Sequence, residues 1–428
     1  MISPLPPDAK IALLSPSGWG NLGDAAIVES LVHGVRRRLP AARLVAFTLN
    51  AEGTAREHGL DAFTLLGFSS HLYVMRDAAL PSDGVPSRAA RALRRLPIPS
   101  AVRSAVRVGL HAFGELRHVR ASRSRIEGAS AVVVAGGGQL DDFFGGPWAQ
   151  PYALLRWSVL ARSVGARFIV ASVGTGTLSP VSRWLVLRAL ARADYRSYRD
   201  DGSRELLGAP DLTRADPTVP DLAYALPVIT RAPPGGPRLR IGLGPMAYCD
   251  PGQWPVGDQE RYRRHVASFG ALAAALLAEG HEVAIFTTDH EPGAIEDTIR
   301  ALGALGPEAV RRLTRSSPAD LSSLLAFYAH VDVVVAARLH GALLAHVAGR
   351  PVLAISHERK VRTLMAEAGQ SRYCFDIDSF ESQEGLARLR ELVAAREVAS
   401  TVIAAHVADS RARVEDQYDA LFGPVVGR

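Results

Sequence analysis

Twice along the chain, short runs of β-branched and apolar residues alternate with longer stretches of helical spacing. The first series reads KIALLSP, ARLVAFT, AVVVAGG, ARFIVASVG and ADYRSYRD; the second reads LRIGLGP, EVAIFTTD, VDVVVAA, PVLAIS and CFDID. Strands separated by helical crossovers pair in parallel, so the alternation predicts an α/β chain with parallel sheets. Between the series lies VITRAPPGGPRLR, residues 228–240, whose Pro and Gly density marks a linker. The expected organisation is two Rossmann-like halves, 1–230 and 231–428, facing each other across a central cleft. The segment from about Ser400 to Phe422 reads as one long helix that packs back on the first half.

Length and composition allow this. A chain of 428 residues, 48% hydrophobic, can fill two cores. The opening MISPLPPDAKIALLSPSG shows neither a basic n-region nor a long apolar one, and no run of about 18 apolar residues suggests a membrane span. Cys249 and Cys374 stand far apart without a CxxC, which speaks against structural zinc and fits a cytoplasmic setting. The net charge of +6 comes almost wholly from arginine, with Lys10 and Lys360 the two lysines. That bias is compositional and does not form a nucleic-acid footprint.

One stretch breaks the rhythm. Residues 85–126 carry Arg88, Arg91, Arg94, Arg95, Arg103, Arg107, Arg117, Arg120, Arg123 and Arg125 against a single acid, Glu115. Two readings stay open: a solvated helical insertion, or a basic amphipathic face for an anionic membrane surface or acidic acceptor.

Four segments could carry chemistry. After the first strand, SPSGWGNLGDAAI places Gly18, Gly20, Asn21 and Gly23 before Asp24 at a helix start, where backbone can approach a ligand and free amides face an anion. Trp19 and Asn21 crowd this loop, so its match to the dinucleotide fingerprint is weak. Asp24 is either the helix cap or a carboxylate facing the cleft. In AGGGQLDDFFGG, Gly136, Gly137 and Gly138 mark another close approach at a strand's carboxyl end, and Asp141 and Asp142 lack a third ligand for a metal. In SYRDDGS, Arg199 either points into the cleft or pairs with a neighbouring aspartate.

The fourth segment, VVVAARLHGALLAHVAGRPVLAISHERKV, runs a buried strand into Arg338, Leu339, His340 and Gly341. A helix start favours an anion, Arg338 adds a bidentate donor set, and His340 exchanges protons near neutral pH. His346 is more than a turn away and reads as packing. One strand further on, His357 and Lys360 reach a neighbouring strand end, so Arg338, His340 and Lys360 can converge.

Taken together, GNLGDAAI, GGGQLDD, SYRDDGS and RLHGALLAHVAGRPVLAISHERKV resemble the polysaccharide pyruvyl transferase family from about residue 10 to 380. The resemblance implies a GT-B-like pair of Rossmann-like domains and transfer of pyruvyl from phosphoenolpyruvate to a sugar, usually as a cyclic ketal. It associates Arg338, Leu339 and His340 with the donor. His340 is then the expected proton donor, with Arg338 and Lys360 on phosphate and carboxylate, and Arg199 a further clamp. His357 and Gly341 fall beside these groups. Asp24, Asn21, Gly23, Gly137 and Gly138 would face the acceptor from the first half. The expected partners are phosphoenolpyruvate and a sugar, glycan or lipid-linked glycan, with contact to the inner membrane face through residues 85–126, and with no cofactor, metal or nucleic acid. Ala25, where an acid is often seen, and His357-Glu358-Arg359, in place of a Tyr-Asp-Pro type sequence, depart from the family pattern on the acceptor side. Two alternatives remain: a GT-B glycosyltransferase using a nucleotide sugar, with Asp376 or Asp378 as its ribose carboxylate, and a repurposed member acting on a small natural-product scaffold.

Overall fold

The structure is a computed structural model that describes residues 5–67, 100–227 and 238–425, apart from 19, 144, 255, 304 and 305. For 100–112 and 292 it describes the backbone alone. Trp19, the basic residues Arg88, Arg91, Arg94 and Arg95, the side chains of Arg103 and Arg107, and the linker positions 228–237 therefore lie outside the described residues.

Two six-stranded sheets form the frame. The first runs in the order β3-β2-β1-β4-β5-β6, with β1 (Lys10–Leu14), β2 (Arg43–Thr48), β3 (Asp61–Thr64), β4 (Ala131–Leu140), β5 (Arg167–Thr175) and β6 (Tyr195–Tyr198). The second runs β12-β11-β10-β7-β8-β9, with β7 (Arg240–Gly244), β8 (Glu282–Phe286), β9 (Leu313–Ser316), β10 (Val333–Ala336), β11 (Val352–Ile355) and β12 (Cys374–Phe375). The described strand pairings are parallel throughout. This is the α/β pattern the alternation predicts. Each sheet has the doubly wound order, in which its first and fourth strands are neighbours and the chain leaves them in opposite directions. Loops at that switch point part to leave a crevice for ligands.

The central strands β1 and β10 are buried along nearly their whole length, which is why their sequences are so apolar. The short edge strands β3 (DAFT) and β9 (LTRS) are half-exposed and lack such a pattern, and the sequence reading passes over both. Strand β7 begins at Arg240, the last residue of the expected linker.

The final helix, Arg396–Phe422, starts a few residues before the expected position and lies on the first half. Tyr418 fills the space left by the missing side chain of Gly34 on the Leu22–Arg38 helix. Arg38 pairs with Glu415 at 2.8 Å and Asp419 at 2.5 Å. Gln417 donates to the Ser172 hydroxyl at 3.0 Å and accepts from Tyr195 at 3.0 Å and from Ser197. Ser172 sits at an irregularity in β5 with φ 52°, a left-handed conformation uncommon for a residue with a side chain.

Candidate active site

The site is built where the switch points of the two sheets meet. Asn21 caps the Leu22–Arg38 helix, its side-chain oxygen accepting from the amides of Gly23 at 3.0 Å and Asp24 at 3.2 Å. Asn21 thus fills the capping role, and Asp24, in the first turn of the helix, is released to face the cleft. The Leu22 amide donates to the Thr288 carbonyl at 3.0 Å, stitching the first half to the loop after β8.

His340 lies against this helix start. A Cβ at Gly23 would overlap the imidazole, so a residue without a side chain lets the ring approach. Nε2 of His340 is 3.5 Å from Oδ2 of Asp221, whose side chain is almost wholly buried. Arg199 reaches the same oxygen at 3.4 Å and also Asp200 at 3.6 Å. Burial by itself would raise the Asp221 pKa. The attraction of the neighbouring His340 and Arg199 outweighs that and holds it down at about 2. Asp221 is therefore a fixed anion that orients both partners. Sequence reading missed it because nothing in PDLAYAL separates it from a loop aspartate, and its Oδ1 does indeed cap the turn at Ala223.

Asp24 shows the opposite shift. Burial, helped by the nearby Asp289 and Asp221, pushes its carboxyl up to about 6 against the pull of His340 and Lys360. Gly137, at φ 73°, faces it: a Cβ there would lie 3.7 Å from Asp24 Oδ1. Gly138 is exposed with open space around it.

Arg338 caps the Leu339–Val347 helix with extended backbone, while Leu339 is buried in the core. Its guanidinium is already occupied. Nε donates to Glu291 at 2.8 Å, Nη2 completes a bidentate pair with the same carboxylate, and Nη1 is 3.3 Å from Asp289. Burial would lower the Arg338 pKa, but the two acids dominate and hold it above the usual arginine range. Glu291 is 2% exposed and also accepts from the Ala247 amide at 3.1 Å, so it is anchored, whereas Asp289 is the more accessible of the pair. Both follow β8 in TTDHEPG, and neither was singled out from the sequence. Arg338 thus stands with acids where the sequence expects an anionic donor. Gly341 is buried beside Thr288 and Ala336 and gives its carbonyl to Tyr328 at 3.0 Å. With Arg338 it lines a recess of about 10 Å³, room for roughly one water.

Lys360 falls in the first turn of the Arg359–Glu367 helix, past the strand end, and its ammonium is 2.7 Å from Glu358. His357 packs its ring against Tyr248 and Trp254 with centroids 4.9 and 5.3 Å apart, and burial lowers its pKa. The structure therefore gathers His340, Arg199, Asp24, Gly23 and Gly137, sets Lys360 within electrostatic reach of Asp24, and holds Arg338 in a neighbouring acid pocket.

Other candidates are structural. His346 is fully buried, without a hydrogen-bond partner, and burial pushes its pKa down to about 3, as a packing residue requires. Asp142 accepts from the Ser179 amide at 3.0 Å and from Ser182, and Asp141 from the Phe143 amide. Among the described residues no group of three or more His, Cys, Asp and Glu side chains could hold a metal. No helix among them is long and apolar enough to cross a membrane.

A family model described as polysaccharide pyruvyl transferase matches residues 21–359. No curated protein sequence matches the chain. Among solved structures, a glycosyltransferase from Rickettsia africae is similar at 8% identity and a TM-score of 0.55, covering 96% of this chain and 98% of that one. A putative UDP-N-acetylglucosamine 2-epimerase from Listeria monocytogenes is similar at 11% identity and a TM-score of 0.55, covering 96% and 94%. Anabaena HepE, solved with UDP-glucose, is similar at 12% identity and a TM-score of 0.54, covering 96% and 98%. These likenesses show the fold, a GT-B-like pair of α/β domains.

Proposed function

This chain belongs to the polysaccharide pyruvyl transferase family, and we propose that it moves the pyruvyl group of phosphoenolpyruvate onto two hydroxyls of a sugar, forming a cyclic ketal and releasing phosphate. The supporting observation is the Asp221–His340 pair beside Arg199, at a helix start and next to a carboxyl with a raised pKa. Such a set supplies a proton and balances charge within one small region.

In this reading His340 delivers the proton that converts the enol CH2 at C3 to CH3, leaving C2 electrophilic. The first sugar hydroxyl attacks C2 and forms a C–O bond. The C2–O bond to phosphate then breaks, phosphate departs with the bonding pair, and the second hydroxyl closes the ring. Of the two hydroxyl protons, one balances the proton taken up at C3 and the other leaves with the products. Asp221 keeps His340 in the orientation this requires. Asp24, its pKa raised to about 6, takes a hydroxyl proton in this reading. Arg199 and Lys360 meet the donor's oxyanions. Arg338 stays anchored by Glu291 and exchanges Asp289 for the donor. Charge neutralisation comes from these side chains and the helix-start amides.

The test is phosphate release from phosphoenolpyruvate over a panel of glycosides and lipid-linked glycans. The wild type should release phosphate only with an acceptor present, and His340→Ala should lose this while keeping its circular dichroism. Release by neither protein would remove the donor assignment. The solved neighbours that carry UDP or UDP-glucose support a nucleotide-sugar reading instead. Thermal stabilisation by UDP-glucose and not by phosphoenolpyruvate would favour it, whereas turnover of a small glycoside alone would point to a small-scaffold enzyme.

The basic segment supports a peripheral location. On the Ser100–Arg125 helix, Phe113 and Leu116 are exposed at helical spacing with Arg117, Arg120 and Arg123, while Glu115 turns inward to Arg156 and Tyr152. An apolar and cationic face without its acid suits an anionic bilayer. Co-sedimentation with phosphatidylglycerol vesicles, lost in Phe113→Ser with Arg120→Glu, would support this contact; equal sedimentation of both proteins would remove it.

A further inference from the structure

The cleft holds a second cluster that the transfer chemistry does not use. Trp254, in the loop after β7, stands at its centre. Its ring centroid is 5.3 Å from Tyr248, 5.3 Å from His357 and 5.4 Å from Phe143. Tyr248, Trp254 and His357 belong to the second half and Phe143 to the first, so the rings meet across the cleft. Phe143 is 46% exposed, Trp254 and His357 are half-buried, and Tyr248 is buried.

The rim of the cluster is polar. The Tyr248 hydroxyl is 3.1 Å from both oxygens of Asp378. The His357 ring in the cluster keeps a buried Nδ1 without a hydrogen-bond partner. The cluster also adjoins the proposed donor groups. His357 is flanked by Glu358 and near enough to Lys360 and Arg338 for their charges to bias its ionisation, and Phe143 follows Asp141, which Lys360 and Glu358 influence in the same way.

A purely structural cluster would bury these rings, because aromatic surface left in water forgoes the free energy of its burial. Exposed ring surface beside polar side chains suits a ligand that has an apolar face and a hydroxylated edge. A pyranose is such a ligand: its C–H face packs on an aromatic ring while its hydroxyls reach side chains at the ring's edge. Trp254 meets its three partners at 62°, 78° and 89°, so its contacts form no pair of parallel walls that would enclose a flat nucleobase.

We propose that Trp254 and Phe143 form the acceptor subsite, holding a pyranose residue whose hydroxyls bond to His357 and Asp378. The inference rests on the pyruvyl-transfer reading for the sugar's role as acceptor, though the binding can be measured without it. It moves acceptor recognition from the glycine loops of the first half to a surface shared by both halves.

Saturation-transfer difference NMR on the full chain, with the methyl β-pyranosides of galactose, glucose and mannose as probes, tests it. Transfer to ring protons of at least one probe is expected. Trp254→Ala and Phe143→Ala should weaken its dissociation constant about tenfold, the equivalent of about 1.4 kcal/mol, and Trp254→Phe should retain binding. Circular dichroism and Tm establish that each variant is folded, and the milder Trp254→Phe and Phe143→Ala keep the test valid if Trp254→Ala does not fold. No transfer to any probe in the wild type, or equal affinity in wild type and folded variants, would overturn the subsite. So would Trp254-dependent transfer to the uracil protons of UMP in place of the pyranosides. Phosphate release separates this inference from the donor reading. Weakened sugar binding in the variants, with no phosphate from phosphoenolpyruvate in the wild type, fails the donor and keeps the subsite. Phosphate release whose sugar dependence is unchanged in Trp254→Ala does the reverse.

Discussion

Asp221 of the first half and His340 of the second lie 3.5 Å apart, a contact formed only when the two sheets face each other. Because Asp221 fixes the imidazole, Asp221→Asn should keep the fold and lower phosphate release about 100-fold, within the range of general acid–base contributions. Unchanged phosphate release in the folded variant would leave Asp221 a purely structural role.

Gly23 tests the same contact from the other side. A methyl group there overlaps the His340 ring, so Gly23→Ala should displace the imidazole and cost about 100-fold in turnover. Helix propensity favours Ala over Gly, so the variant's helix content should hold or rise. Wild-type turnover in Gly23→Ala would show that the ring is free to move.

Arg338 gives a prediction with opposite signs at two neighbours. Glu291 anchors the guanidinium, so Glu291→Gln should raise the KM for phosphoenolpyruvate about tenfold, the worth of one charge-assisted hydrogen bond. Asp289 occupies the exposed edge, so Asp289→Asn should lower that KM. Equal shifts in one direction would remove Arg338 from the donor site.

Asp24 ties stability to pH. Its folded pKa of about 6 lies above the unfolded value of 3.8, so the native state favours the protonated acid. Its contribution is fully present below pH 3.8 and is lost as pH rises through about 6. Asp24→Asn, neutral throughout, should match wild-type stability near pH 3.5 and exceed it at pH 8 by about 1–2 kcal/mol, after allowance for the carboxyl's partial exposure. The same variant should turn over more slowly if Asp24 takes a hydroxyl proton. Thermal melts at the two pH values, with rates at neutral pH, read both effects.

Gln417 locks the last helix to the first half. Gln417→Leu strands the buried hydroxyls of Ser172 and Ser197 and should cost about 2–4 kcal/mol. A lowered Tm with wild-type KM values would place its role in the scaffold.

The sequence by itself determined what depends on near neighbours. Its β-branched runs gave the central strands, because a strand covered on both faces must be apolar throughout. Arg338, Leu339 and His340 were legible as a helix start at a strand's end, since strand, turn and helix are set by consecutive residues. The fall of pattern at the edges hid β3 and β9. Tertiary structure decided what those groups face. Asp221, Glu291 and Asp289 are ordinary loop acids in the sequence; folding within each half puts Asp221 on Arg199 and both other acids on Arg338, and only packing one sheet's loops against the other's puts Asp221 on His340. Phe143 and Trp254 likewise meet only across the cleft. Electrostatic and ring contacts act through space over a few ångströms, so residues remote in the chain set the charge and shape of the site.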